Sequence, residues 1–373
     1  MLAPQDAATQ VSAPEDPVSA DLPAAVTAEL ATFFAERRGA AERIAPVWSA
    51  AIDALETFVT RGGKRVRPAF AWWGWRGAGW RADDALAPQV LRACAALELI
   101  QACALVHDDL MDDSDTRRGH PTVHVDFADR HREAGWRGDP QRFGTAAAVL
   151  LGDLAMAWAD DMLRSAALPP DVLGRATAVW EGMRTEVLGG QYLDVIADAE
   201  GDHSPESALR IARFKTAAYT VERPLHLGAA LAGAGPELVA AYRSFGEDVG
   251  TAFQLRDDLL GVFGDPAVTG KPAGDDLREG KHTLLVALAV RRAESVDPGA
   301  ARLLRDSLGT ALDPAEIDRL REVLVELGAV EAVEARITEL ADRAGATLAV
   351  APVEESARTE LARMARSATS RTH

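Results

Sequence analysis

Two segments of this chain place adjacent carboxylates at the end of long apolar helical runs, and few folds tolerate that. Ala102-Cys103-Ala104-Leu105-Val106-His107 leads into Asp108-Asp109-Leu110-Met111-Asp112. Val249-Gly250-Thr251-Ala252-Phe253-Gln254-Leu255-Arg256 leads into Asp257-Asp258-Leu259-Leu260-Gly261. A helix that buries most of its faces cannot carry such charge without a cationic partner. Two clusters facing one cavity would hold divalent metal ions, and the metals would hold a diphosphate. Adjacent aspartates alone say little, because pairs also begin at Asp83, Asp112, Asp160 and Asp275. Asp108 and Asp112 stand one helical turn apart on one face, a spacing that suits Mg²⁺. Asp83 and Asp160 have Ala87 and Arg164 four residues on instead.

The chain has 373 residues, 48% of them hydrophobic, enough for one large helical domain or two medium ones. Ala and Leu are abundant and no alternating Val, Ile and Thr runs stand out, so the expected class is all-α. A net charge of -17 argues against nucleic acid as a partner. Cys94 and Cys103 share one apolar helix, a reduced intracellular pattern. No Lys or Arg precedes Arg37, so no leader peptide is expected. The apolar stretch Leu91 to Val106 carries Arg92, Glu98 and Gln101 and reads as too short and too polar to span a bilayer. The expected location is cytoplasmic.

Residues 1–24, rich in Ala, Pro, Asp, Ser and Gln, read as a disordered tail. Residues 25–373 read as one all-α domain. Helices are expected from Ala25 to Thr60, Arg67 to Gly77, Ala82 to Asp112, Gly144 to Ala166, Asp171 to Ala199, Ser207 to Ala234, Pro236 to Val262 and Thr283 to Arg292, with several more beyond Ala300. Gly- and Pro-bearing turns such as Arg61-Gly62-Gly63 and Gly119-His120-Pro121 separate them.

Of 40 basic residues only four are lysines: Lys64, Lys215, Lys271 and Lys281. Ordinary surface positions here take Arg, so the lysines mark places where a compact ammonium is wanted, as against phosphate. Lys64 lies in a Gly-rich turn that enters a helix. Lys215 lies in Phe214-Lys215-Thr216. Lys271 and Lys281 bracket a loop after the second Asp cluster. Arg117-Arg118-Gly119 follows the first cluster and can clamp phosphate bidentately.

These motifs, in this order, resemble the trans-isoprenyl diphosphate synthases, the all-α polyprenyl synthetases, over roughly residues 30 to 370. Gly62-Gly63-Lys64-Arg65-Val66-Arg67-Pro68 looks like the family's homoallylic diphosphate site. His107 through Gly119 looks like its first Asp-rich motif, Lys215-Thr216 its KT motif, and Phe253 through Asp265 its second Asp-rich motif. The resemblance implies a single large helical bundle around a central cavity and a homodimer. It implies Mg²⁺, three ions with diphosphate bound, held by Asp108, Asp109, Asp112, Asp257 and Asp258. Arg117, Lys215, Lys271 and Lys281 would hold the allylic diphosphate. Lys64, Arg67, Gln101 and Arg118 would hold isopentenyl diphosphate. Lys215, Thr216 and Gln254 would be the catalytic set, with Thr216 and Gln254 facing the ionised carbon. Two departures stand out. Gly261 occupies the place of a third Asp, with Asp265 an alternative carboxylate, and Gln101 occupies the place of a His.

The reaction so implied ionises the allylic diphosphate, adds isopentenyl diphosphate and eliminates a proton in a dry apolar pocket. Cys103 and Ala104, just upstream of Asp108, are small where aromatic residues stop family members at farnesyl. The expected product is therefore geranylgeranyl diphosphate, with farnesyl or chains of twenty-five carbons and above as alternatives. A class I terpene cyclase would lack the homoallylic motif and pair its first Asp motif with Asn, Ser and Glu. A regulatory subunit of a heteromeric synthase would lack one Asp motif.

Overall fold

The computed structural model describes residues 17–265 and 274–369. The helices run α1 (Pro17–Ala20), α2 (Leu22–Ile44), α3 (Pro46–Thr60), α4 (Val66–Arg76), α5 (Ala87–Ala95), α6 (Leu97–Met111), α7 (Val123–Glu133), α8 (Pro140–Arg164), α9 (Pro170–Glu200) and α10 (Pro205–Ile211). A π-helix (Ala212–Glu222) follows. Then come α11 (Arg223–Ala232), α12 (Pro236–Phe263), α13 (Asp275–Arg278), α14 (Leu284–Val296), α15 (Pro298–Ser307), α16 (Pro314–Glu326), α17 (Ala329–Val350) and α18 (Glu355–Thr369). The only strands among the described residues are β1 (Thr116–Arg117) and β2 (His120–Pro121), an antiparallel pair.

The all-α expectation holds, and its boundaries move for local reasons. Pro46 cannot donate a backbone hydrogen bond and pushes Ala45 into extended geometry (φ -173°, ψ 152°), so the helix expected from Ala25 to Thr60 breaks there. Helix begins inside the expected tail. Asp21 caps α2 by accepting from Ala24 N at 3.2 Å, Leu22 is buried, and Ser19 Oγ accepts from Trp72 Nε1 at 3.0 Å. The helix expected from Ala82 starts at Ala87 and turns at Ala96, and α7 was not expected at all. The apolar stretch around Leu91 is not excluded from a bilayer by composition. Ala87–Met111 is, over 25 residues, long and apolar enough, and 72% of its most apolar window is buried inside the protein.

One large hydrophobic cluster joins α2 to α9, α11 and the first half of α12. A second joins the last turns of α12 to α14, α16 and α17. The tryptophans Trp72 and Trp75 sit in the first cluster, ring centroids 5.1 Å apart, as packing residues.

The helix expected from Ser207 to Ala234 contains a wide π-helical turn across Lys215-Thr216, a rare conformation associated with functional sites. Its neighbours admit it by presenting glycine. A Cβ on Gly190 of α9 would stand 2.2 Å from the Lys215 nitrogen. Cβ atoms on Gly246 and Gly250 of α12 would stand 2.5 Å from the Glu222 Cα and 2.7 Å from the Ala217 oxygen. Neighbouring Gly189 meets nothing within 4 Å. Gly190→Ala should therefore destabilise by about 1–3 kcal/mol through overpacking. Gly189→Ala should be neutral or stabilise by up to about 1 kcal/mol through helix propensity. Thermal unfolding of the two variants checks this opposite sign.

Candidate active site

Five separate elements bring their polar side chains to one cavity of about 1180 Å³. The end of α6 supplies Asp108 and the end of α12 supplies Asp257 and Asp258. The π-helix supplies Lys215 and Thr216, and the β1–β2 hairpin supplies Arg117 and Arg118. The loop before α14 supplies Lys281. Lys64, Arg67, Gln101, Cys103, Ala104 and Gln254 line it too. Lys271 lies outside the described residues.

The first acidic cluster divides its labour. Positions four apart share a helix face, and the position between is turned about a quarter-turn away. Asp108 lines the cavity, and Asp112 at the helix end has its Oδ2 4.0 Å from Nζ of Lys281, which also lines it. Asp109 is fully buried, and Arg117 donates to its Oδ1 from Nε at 2.6 Å and from Nη2 at 2.5 Å. Asp109 is thus placed to orient Arg117.

Lys215 and Lys281 each stand among several of the remaining carboxylates. Lys215 Nζ lies 2.8 Å from Asp108 Oδ1 and 2.5 Å from Asp194 Oδ2 on α9. Gln191, three residues earlier, donates to Asp108 Oδ1 at 3.3 Å. Lys281 Nζ lies 2.7 Å from Glu279 Oε2 and 3.3 Å from Asp276 Oδ1. Burial alone pushes the Asp108 carboxyl up, yet Lys215, Lys281 and Arg117 outweigh it and hold it below its ordinary range. Asp112 goes the other way, raised to about 6 by burial and the Asp108 charge. Asp258 rises to about 8 through burial and the carboxylate of Asp276, against a hydrogen bond from Gln254 Nε2 at 2.6 Å.

Asp276 answers the departure at Gly261. A Cβ on Gly261 would stand 1.8 Å from Asp276 Oδ2, so this carboxylate fills the space a side chain at 261 would take. It belongs to the Asp275-Asp276 pair, one of those that adjacency alone did not single out. Its only sequence signal was the Lys281 five residues on. Asp194 was equally hidden, although Gln191 and Asp194 share one face of α9 and mark that face as polar.

Across the cavity the cations cluster. Arg118 and Gly119 have φ of 53° and 74°, the two-residue type I′ loop that closes the hairpin and aims Arg117 and Arg118 inward. Arg67 donates to Thr220 Oγ1 at 2.8 Å and its guanidinium lies 4.1 Å from the Tyr219 ring centroid. Burial and the neighbouring Arg117, Arg67 and Arg65 push the Arg118 guanidinium below its ordinary range, while Glu98 opposes this. An anion entering here would relieve that repulsion.

The polyprenyl synthetase profile matches residues 50–326. The chain belongs to the polyprenyl synthetase family. It is 33% identical over 306 residues to the geranylfarnesyl diphosphate synthase of Aeropyrum pernix, covering 81% of this chain and 88% of the relative. It is 35% identical over 254 residues to the geranylgeranyl diphosphate synthase of Mycobacterium tuberculosis, covering 66% and 67% of the two chains. A crystal structure of geranylgeranyl pyrophosphate synthase from Corynebacterium glutamicum, complexed with isoprenyl diphosphate and magnesium, superimposes with a TM-score of 0.91 at 46% identity. The match covers 94% of this chain and 99% of that one. As a polyprenyl synthetase the protein is a trans-prenyltransferase with the family's all-α fold.

Among the described residues no three His, Cys, Asp or Glu side chains converge as a ready-made metal site. The donor set still fits Mg²⁺, which needs one or two carboxylates and completes its shell with water and phosphate oxygens. Hard oxygens at Asp108, Asp257 and Asp258 line the cavity from the ends of two helices, and Asp112 stands beside its Lys281.

The raised Asp258 carboxyl has a consequence for stability in metal-free buffer. Between its ordinary range and about 8 the folded state holds a proton that the unfolded state has released, so stability falls as pH rises through that window. The slope is at most about 1.4 kcal/mol per pH unit. Asp258→Asn should flatten the decline between pH 6 and 8, measured by denaturant unfolding with chelator present.

Proposed function

We propose that this trans-prenyltransferase condenses isopentenyl diphosphate with an allylic diphosphate and releases geranylgeranyl diphosphate as its main product. The carrying observation is the two-sided cavity. Carboxylates held by Lys215 and Lys281 stand on one side, and the cationic corner of Lys64, Arg67 and Arg118 stands on the other. Two diphosphates of different partner chemistry fit such a pair of walls.

On this reading Asp108, Asp112, Asp257 and Asp258 would hold Mg²⁺, three ions in all, and Asp276 would add carboxylate charge beside Gly261. Bound Mg²⁺ would supply positive charge to the allylic diphosphate as it leaves. Lys215, Lys281 and Arg117, with Lys271, pair with the same leaving group. Gln254 presents its side-chain oxygen and Thr216 its hydroxyl and carbonyl to the cationic carbon. Lys64, Arg67, Gln101 and Arg118 hold the diphosphate of isopentenyl diphosphate, whose alkene attacks that carbon. The proton lost on forming the new double bond goes to an oxygen of the released diphosphate. The apolar wall keeps water from the cation.

Cys103 and Ala104 line the cavity together with Met156, Val187 and Leu188, so no aromatic side chain from the two positions above Asp108 stops the growing chain. His107 touches the cavity wall but is held by its packing on α8. It packs against Gly152 of α8, where a Cβ would stand 2.1 Å from its Nε2. Leu150, Leu188, Tyr192 and Val195 on α8 and α9, with Met111, are large apolar residues left exposed. They support a homodimer that buries this face. Free Cys94 and Cys103 accord with a cytoplasmic location.

Incubation with isopentenyl diphosphate, a farnesyl starter and Mg²⁺ should give a twenty-carbon product, read by chromatography after dephosphorylation. Stopping at fifteen carbons or running to twenty-five and above contradicts the product assignment, and cyclised hydrocarbon formed without isopentenyl diphosphate contradicts the reaction. Ala104→Phe should shorten the main product by at least one isoprene unit.

A further inference from the structure

Behind the cationic corner lies a buried ion pair, Arg65 and Glu98, whose polar contacts are made within the chain and which reaches the cavity wall. Arg65 has a left-handed backbone, φ 49°, a conformation that costs a side-chain-bearing residue about 1–2 kcal/mol. Its guanidinium is almost wholly enclosed and is spent on four acceptors, the weakest being Thr27 Oγ1 on α2, 3.4 Å from Nε. Nη1 donates to Glu98 Oε2 at 2.6 Å and to Val59 O at 2.9 Å, and Nη2 donates to Thr60 O at 3.1 Å. Val59 and Thr60 carry the last carbonyls of α3, Glu98 lies in the first turn of α6, and Arg65 itself opens α4. One side chain therefore fixes the ends of three helices relative to one another.

The substrate-facing groups sit on those three ends. Lys64 lies in the loop between α3 and α4, Arg67 in the first turn of α4, and Gln101 one turn along α6 from Glu98. The loop also runs close to the hairpin. A Cβ on Gly63 would stand 3.5 Å from Arg118 Nη1 and 3.8 Å from Arg65 Nη1. Both side chains of the Arg65–Glu98 pair are about 5% exposed, and Glu98 Oε1 is buried without a hydrogen-bond partner. A buried ion pair of this kind adds little stability over apolar residues of similar size. Its value lies in geometry.

We propose that the buried Arg65–Glu98 pair is the positioning element of this corner, holding Lys64, Arg67 and Arg118 in the register that accepts the diphosphate of isopentenyl diphosphate. The inference rests on the assignment of that corner to the homoallylic substrate. It predicts a selective kinetic defect, since the carboxylate-rich wall on the other side of the cavity uses neither residue.

The experiment is steady-state kinetics with each substrate varied in turn. Glu98→Gln keeps an acceptor for Arg65 and removes the charge. Its KM for isopentenyl diphosphate should rise about tenfold or more, while kcat and the KM for the allylic diphosphate stay within about threefold. The double variant Arg65→Met with Glu98→Leu replaces the pair by apolar bulk. It should keep or raise the melting temperature and show the same selective KM increase. An unchanged KM for isopentenyl diphosphate in either folded variant overturns the proposal, as does an equal rise in both KM values. Lys64→Ala serves as the separate check on the corner itself. If it leaves that KM unchanged, the homoallylic assignment fails. If it raises KM and the pair variants do not, only the positioning role fails.

Discussion

Everything at the mouth of this cavity depends on two ammonium groups held between carboxylates. Lys215 sits between Asp108 and Asp194, and Lys281 sits among Asp112, Asp276 and Glu279. Without them the two acidic helix ends would repel across a poorly hydrated space, at a cost the fold could not absorb. With them each acidic helix end has an ammonium in contact. Both ammoniums are held above their ordinary range against the burial that would lower it, because the surrounding carboxylates outweigh that burial. A diphosphate arriving with Mg²⁺ offers both partners a better match: metal for the carboxylates, phosphate oxygens for the lysines.

The rest of the architecture serves that placement. The π-helical turn carries Lys215 to its position, and the glycines of α9 and α12 make room for the turn. The type I′ loop delivers Arg117 and Arg118 from the other side. Asp109 then keeps Arg117 pointed along the wall it shares with Asp108.

Much of this was legible in the chain itself, because the chemistry is concentrated in ordered motifs and because lysine is scarce. Helix periodicity gave the all-α class, and the four-residue spacing of Asp108 and Asp112 gave their common face. Periodicity says nothing about what stands opposite a face, however. Asp194 and the Arg65–Glu98 pair matter through contacts 21 and 33 positions apart, and Asp276 through a gap left by a glycine, and no helix periodicity announces them. The pairing of Asp109 with Arg117 was likewise hidden, because adjacency in a motif does not say which way each side chain turns. The π-helix escaped because its apolar pattern matches an α-helix and its cause lies in two neighbouring helices. The break at Ala45 was readable from Pro46 alone.

The most direct test of the exchange between lysines and metal is a crystal structure with Mg²⁺ and inorganic diphosphate. Metal ions should lie on Asp108, Asp112 and the Asp257–Asp258 end of α12. The ammoniums of Lys215 and Lys281 should have left Asp194 and Glu279 for phosphate oxygens at about 2.8 Å. Diphosphate bound with both lysines still on their carboxylates, and no metal at Asp108 or Asp112, would contradict the account.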